Sequence, residues 1–201
     1  MKLYYSPDAC SLSPHIVLRE LGIPFAAIRV NLASKRTEDG LNLHALNPKG
    51  AVPALRLDSG EVLTEGAAIV QFLADQVPEN TLMPPVGTLA RARVQEALNY
   101  IAAELHKAFS PLFSKAASAE VRAAARTNVE AKLGAVEAML ADGRDYIAGG
   151  DFSPADAYLF TVVRWAPMVG IALDAWPALQ AHHARIAARP ATVAALAAEA
   201  A

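Results

Sequence analysis

Val52-Pro53-Ala54-Leu55-Arg56-Leu57-Asp58-Ser59-Gly60-Glu61-Val62-Leu63-Thr64-Glu65-Gly66 decides the fold class. Two short strand-like runs flank a turn containing glycine, the pattern of a β-hairpin. Thr64 is placed to cap a following helix, predicted over 65–76. Upstream, Lys2-Leu3-Tyr4-Tyr5 reads as a strand stopped by Pro7. From Ser11 to Leu21, the residues Leu12, Ile16, Leu18 and Leu21 fall on roughly one helical face, and Gly22 with Pro24 closes the helix. Phe25 to Asn31 reads as a second strand. Residues 32–50 are polar and irregular, with room for a short helix, and end in Asn47-Pro48-Lys49-Gly50. The order β-α-β-(α)-β-β-α joins a βαβ unit to a ββα unit. This is an α/β pattern with a mixed four-stranded sheet over residues 1–77.

Downstream the composition changes. Residues 78–87, Pro-Glu-Asn-Thr-Leu-Met-Pro-Pro-Val-Gly, read as a linker. Residues 88–201 are rich in alanine and contain no strand-like run, so an all-α domain is expected there. Helices are predicted over 88–116, 119–141, 154–167, 176–188 and 190–199. Phe152-Ser153-Pro154-Ala155-Asp156 places Ser at the N-cap, Pro at the first helical position and an acid at the third, a capping box with a short acid. Its role is structural.

Composition removes several function classes. Of 201 residues, 54% are hydrophobic and 19% charged, which supports a packed core and argues against disorder. A net charge of −2 provides no electrostatic footprint for nucleic acid. No polybasic run points to a membrane surface, and no apolar stretch approaches the roughly 18 residues needed to span a bilayer. The run from Met1 to Pro7 is too short for a signal peptide. A single cysteine excludes an intramolecular disulfide framework and fits a reducing compartment, so a cytoplasmic protein is expected.

That cysteine, Cys10, follows a strand and a turn at the predicted start of a helix, as Cys10-Ser11-Leu12-Ser13. Free amides and the positive end of the helix dipole favour a thiolate there. A lone cysteine is more often a buried, inert one, but the strand before it and the helix after it reverse the odds. Without a second thiol, any redox cycle must pass through a mixed disulfide resolved by an external thiol, for which glutathione is the obvious cytosolic candidate.

Other residues are weaker signals when taken singly. Val52-Pro53 alone reads as an ordinary trans peptide at a strand start. The amides after Thr64 suit a carboxylate and Glu65 suits an ammonium group, although Glu65 alone more simply complements the helix dipole. Asn99 and His106 are seven apart, two turns on one face, with Ala103 between them and Lys107 adjacent. A lone helical histidine is usually a surface residue, and Phe109 and Phe113 are more simply core packing. His182 and His183 are adjacent and cannot point the same way, so no metal site is expected there. HExxH, Walker A and Rossmann glycine patterns are missing.

Taken together, the segments Tyr4 to His15, Asn47 to Leu55, Leu63 to Ile69 and Asp151 to Asp156 resemble the bacterial beta class of glutathione S-transferases, across essentially the whole chain. The resemblance implies a thioredoxin-like N-terminal domain, an all-α C-terminal domain and a homodimer. It makes Pro53 a cis-proline and exposes the Val52 backbone to the cysteinyl part of glutathione. Glu65 and Gly66 would hold the γ-glutamyl end, and Lys35 the far carboxylate. Asn99, His106 and Lys107 would border the site, where the class commonly has Ser at the position of Ala103.

The expected chemistry is conjugation of the glutathione thiol to a small hydrophobic electrophile. Cys10, Ser11 and the first helix would hold the thiolate, His106 would hydrogen-bond near the sulfur, and Phe109, Phe113 and Trp165 would line the electrophile. Cys10 also admits glutathione-dependent thiol-disulfide exchange. The alternative is a non-catalytic ligand-binding or regulatory protein on the same fold.

Overall fold

The computed structural model describes residues 1–77 and 82–200. The chain divides into two compact units, Met1–Asn80 with Ala188–Ala201, and Thr81–Ala187. Residues 78–81 of the expected linker lie outside the described residues. The expected helical domain takes in all of 88–201, whereas the described residues 188–200 cluster with the first unit.

In the first unit, β1 (Lys2–Tyr5) runs through α1 (Leu12–Glu20) into β2 (Ala26–Asn31), which pairs with β1 in parallel. A parallel pair needs such a crossover. β4 (Ala54–Arg56) and β5 (Val62–Thr64) form the expected hairpin, and β4 lies antiparallel to β1. The sheet has five strands rather than four. β3 (Arg36–Thr37) adds to the outer edge of β2, giving the order β3-β2-β1-β4-β5. Two residues in a polar stretch carry no readable alternation, which is why β3 escapes pattern reading. α2 (Leu43–Leu46) is the short helix, capped by Asn42, whose Oδ1 accepts from the His44 amide at 3.0 Å.

α3 (Gly66–Asp75) begins one residue later than predicted, with Glu65 rather than Thr64 at its N-cap. α1 differs more. Every residue from Leu12 to Leu18 is buried, polar Ser13 and His15 included, so the helix has no solvent face over that stretch. The reason is α10 (Pro190–Ala200), which packs on α1. Two polar contacts fix the pair. His15 Nδ1 lies 2.8 Å from Glu199 Oε1, and Arg189 grips Glu20 through Nε at 2.6 Å and through its terminal nitrogen at 2.9 Å. Arg19 Nε donates to His15 Nε2 at 3.1 Å, so the His15 ring proton sits on Nδ1 and donates to Glu199.

The second unit is helical. α4 (Leu89–Tyr100) passes through a π turn (Ile101–Leu105) into α5 (His106–Phe113). The single helix predicted over 88–116 is therefore interrupted, and Arg122 closes its end by donating to the carbonyls of Leu112, Ser114 and Ala117. α6 (Ala119–Leu140) follows. Then come α7 (Pro154–Val163), α8 (Trp165–Met168) and α9 (Pro177–Ala187). α7 is buried at every position, as suits a helix whose residues are mostly apolar. Asp156 anchors its start. Oδ2 takes the Ser153 amide at 2.9 Å and the Ser153 hydroxyl at 2.8 Å, while Oδ1 takes the Ile147 amide at 2.7 Å and faces His182 Nε2 at 2.8 Å.

Candidate functional site

Three chain segments converge in the first unit. Cys10 lies in the turn between β1 and α1, one residue before the N-cap Ser11 and thus slightly outside the predicted helix start. The turn is tight. Ser11 Oγ accepts the Ser6 amide at 3.1 Å and donates to the Ser6 carbonyl at 3.2 Å, and the amides of Leu12 and Ser13 bond back to Ala9 and Cys10. Cys10 is half-buried, and its Sγ donates to the Val52 carbonyl at 3.3 Å.

Val52 precedes Pro53 through a cis peptide bond, the isomer that the resemblance implies. The loop before it is held by Asn47, whose side chain donates to the Ala51 carbonyl at 2.8 Å and accepts the Lys49 amide at 3.1 Å. Lys35 also reaches this loop, donating from Nζ to the Gly50 carbonyl at 2.8 Å.

The third segment is the start of α3. Glu65 has φ of 68°, a left-handed conformation that a non-glycine residue holds at some cost. Glu65 makes no side-chain cap, and the first-turn amides of a helix suit an external acceptor. The Glu65 carboxylate points outward to Lys49 Nζ at 2.5 Å, and Lys49 also donates to Thr64 Oγ1 at 2.9 Å. A Cβ at Gly66 would lie 3.7 Å from Pro53 Cγ and 3.8 Å from Ser13 Oγ, which places α3 beside both other segments. A carboxylate fits the helix amides, an ammonium group fits Glu65, and a peptide fits the Val52 edge. Of the residues expected from sequence, this unit brings together Cys10, Val52, Glu65 and Gly66, with Lys35 on the adjoining loop.

In the second unit, His106, Phe109, Phe113 and Trp165 form one aromatic cluster. Trp165 meets His106 edge-on at 4.8 Å and both phenylalanines at 5.7 Å, and Phe109 stacks on Phe113 at 6.4 Å. Phe109 is fully buried, so its packing role is satisfied, but Phe113 is 48% exposed. Asn99 and Lys107 are exposed and do not join the cluster. The seven-residue spacing of Asn99 and His106 assumes unbroken α turns. The π turn between them absorbs an extra residue and rotates His106 by about 100° from that face.

Two partners escape a reading from sequence. Tyr158 on α7 places its hydroxyl 2.7 Å from His106 Nδ1, and Lys49 engages Glu65. Neither has a local signature, although Lys49 does sit in the Asn47-Pro48-Lys49-Gly50 segment that carries part of the resemblance. Among the described residues, no group of three or more His, Cys, Asp or Glu side chains could hold a metal, and no helix is long and apolar enough to cross a membrane.

Residues 9–76 match the family model of the glutathione S-transferase N-terminal domain, and residues 100–190 that of the C-terminal domain. Glutathione S-transferase GstA of Escherichia coli O157:H7 is 49% identical over 99% of this chain and 98% of its own. Among solved structures, a sphingomonad glutathione S-transferase complexed with glutathione superposes with a TM-score of 0.96 at 50% identity, over 100% of this chain and 99% of that one. A bacterial beta-class glutathione S-transferase of Sphingomonas chungbukensis gives 0.96 at 49% identity, over 99% and 98%.

Proposed function

Because this chain belongs to the bacterial beta class of the glutathione S-transferase family, we propose specific roles for its residues in glutathione transfer. The protein is a glutathione S-transferase, and full-length likeness to proteins named as such favours turnover over passive ligand binding. The Gly66 and Ala67 amides take the γ-glutamyl carboxylate, and Glu65 takes its ammonium group in place of Lys49. The Val52 backbone pairs with the cysteinyl part and Lys35 takes the far carboxylate. Cys10 and Ser11 lie beside the thiol. His106 hydrogen-bonds to the sulfur, with Asn99 and Lys107 at the border. Phe113, exposed at the edge of the aromatic cluster with Phe109 and Trp165 packed behind it, favours a small hydrophobic electrophile. The protein acts in the cytoplasm as a homodimer.

Cys10 supports a second reaction. Its thiolate attacks the glutathionyl sulfur of a mixed disulfide, expelling the substrate thiolate and forming a Cys10–glutathione disulfide. A second glutathione thiolate then attacks the glutathionyl sulfur, releasing Cys10 and glutathione disulfide.

The observation that carries the reading is the convergence of Cys10 Sγ on the Val52 carbonyl beside the helix start at Glu65. Calorimetric titration of the reduced protein with glutathione tests it. Saturable binding that weakens at least tenfold in Glu65→Ala is expected, from loss of a charge-assisted contact. No heat at millimolar ligand over several temperatures would reject the site. Cys10→Ser is expected to abolish exchange and retain measurable transfer.

A further inference from the structure

His106 opens α5 directly after the π turn, and its ring is held from two directions. The Tyr158 hydroxyl lies 2.7 Å from Nδ1 with the rings perpendicular, and Trp165 meets the imidazole at 4.8 Å. Tyr158 is 4% exposed on a helix buried along its whole length, so its hydroxyl has little freedom to wander. A phenol is a stronger donor than a neutral imidazole N–H, and an imidazole nitrogen is a better acceptor than a phenol oxygen. That ordering makes Tyr158 the donor and Nδ1 the acceptor. A neutral histidine has a single N–H, which is then on Nε2.

We propose that Tyr158 is a positioning residue that holds His106 as the neutral Nε2–H tautomer. The ring then offers a hydrogen-bond donor to the reacting sulfur, a contact that stabilises a thiolate. The opposite tautomer would present a lone pair at Nε2 and repel one. Trp165 completes the arrangement by limiting rotation of the imidazole plane. The catalytic benefit rests on the role proposed above for His106, but the tautomer does not.

Nitrogen-15 spectra of the labelled full-length protein at mildly alkaline pH test the tautomer directly, with the His106 signals assigned by their loss in His106→Gln. A protonated Nε2 and a bare, hydrogen-bonded Nδ1 are expected, and a protonated Nδ1 would overturn the proposal. In Tyr158→Phe, the expected spectrum is a mixture of tautomers. Conjugation to a chlorodinitrobenzene should lose roughly tenfold in kcat/KM, the size of one hydrogen bond in the transition state. An unchanged spectrum with unchanged kcat/KM would also overturn it. In a His106→Gln background, Tyr158→Phe should cost almost nothing further. A full additional loss there would show that Tyr158 acts by another route. If His106→Gln alone keeps full activity, the role of His106 in transfer fails, while the wild-type spectrum still decides the tautomer.

Discussion

Gly66 stands where a side chain would fit. A Cβ added there would make only ordinary contacts with Pro53 and Ser13, and the backbone φ is not positive. Gly66→Ser is therefore expected to be accommodated, to improve the first turn of α3 and to offer a hydroxyl to the ligand carboxylate. Calorimetry should show glutathione binding several-fold tighter, about 1 kcal/mol. Gly50 is the opposite case. Its φ is 61°, and an added Cβ would collide with the His44 ring, so Gly50→Ala should distort the loop leading to Val52 and raise the glutathione KM. Cys10 stands out locally, from the strand before it and the helix after it. Val52-Pro53 and Glu65-Gly66 read singly as an ordinary peptide and a dipole acid, and gain a site role only through the family resemblance. Tyr158 was not legible, because its partner is 52 residues away and a tyrosine in an apolar helix reads as core.

Elements were legible where the signal is local. The start of α7 could be read from Ser153-Pro154 and Asp156, although not the full load on that carboxylate, which adds the Ile147 amide and His182. Asp156→Ala strands all of these donors in a buried place, so destabilisation of about 3–5 kcal/mol is expected in chemical denaturation. The π turn was illegible, since Ile101 to Leu105 contains no glycine or proline to announce it. On α9, His183 stacks on Phe160 at 4.7 Å. Burial first, then His182 and Arg164, hold its pKa down to about 4 against an ordinary 6.5. The unfolded chain therefore takes up this proton first as pH falls. The stabilisation is complete above about pH 6.5 and is lost as pH drops toward 4, by about 2 kcal/mol because the ring keeps some solvent contact. His183→Phe keeps the stacking without the titration, so its denaturation midpoint should diverge upward from wild type only in that window.

For the whole molecule, the alternation of strands and helices before residue 78 and the helical character after residue 88 were readable from pattern and composition. The allegiance of the last helix was not. Pro190 to Ala200 is nearly all small apolar residues, and Glu199 alone reads as a solvated charge, whereas it is the buried acceptor of His15. Glu199→Ala removes the acceptor for a fully buried imidazole. Destabilisation of about 3 kcal/mol is expected, with hydrogen exchange accelerating first in α1 and α10. This pairing also imposes an order on biosynthesis. His15 is synthesised 184 positions before Glu199, so α1 waits for its α10 partner throughout translation of the intervening helical unit. A nascent chain stalled before α10 would expose the apolar back of α1 to chaperones, and a helix made early would finish its packing late.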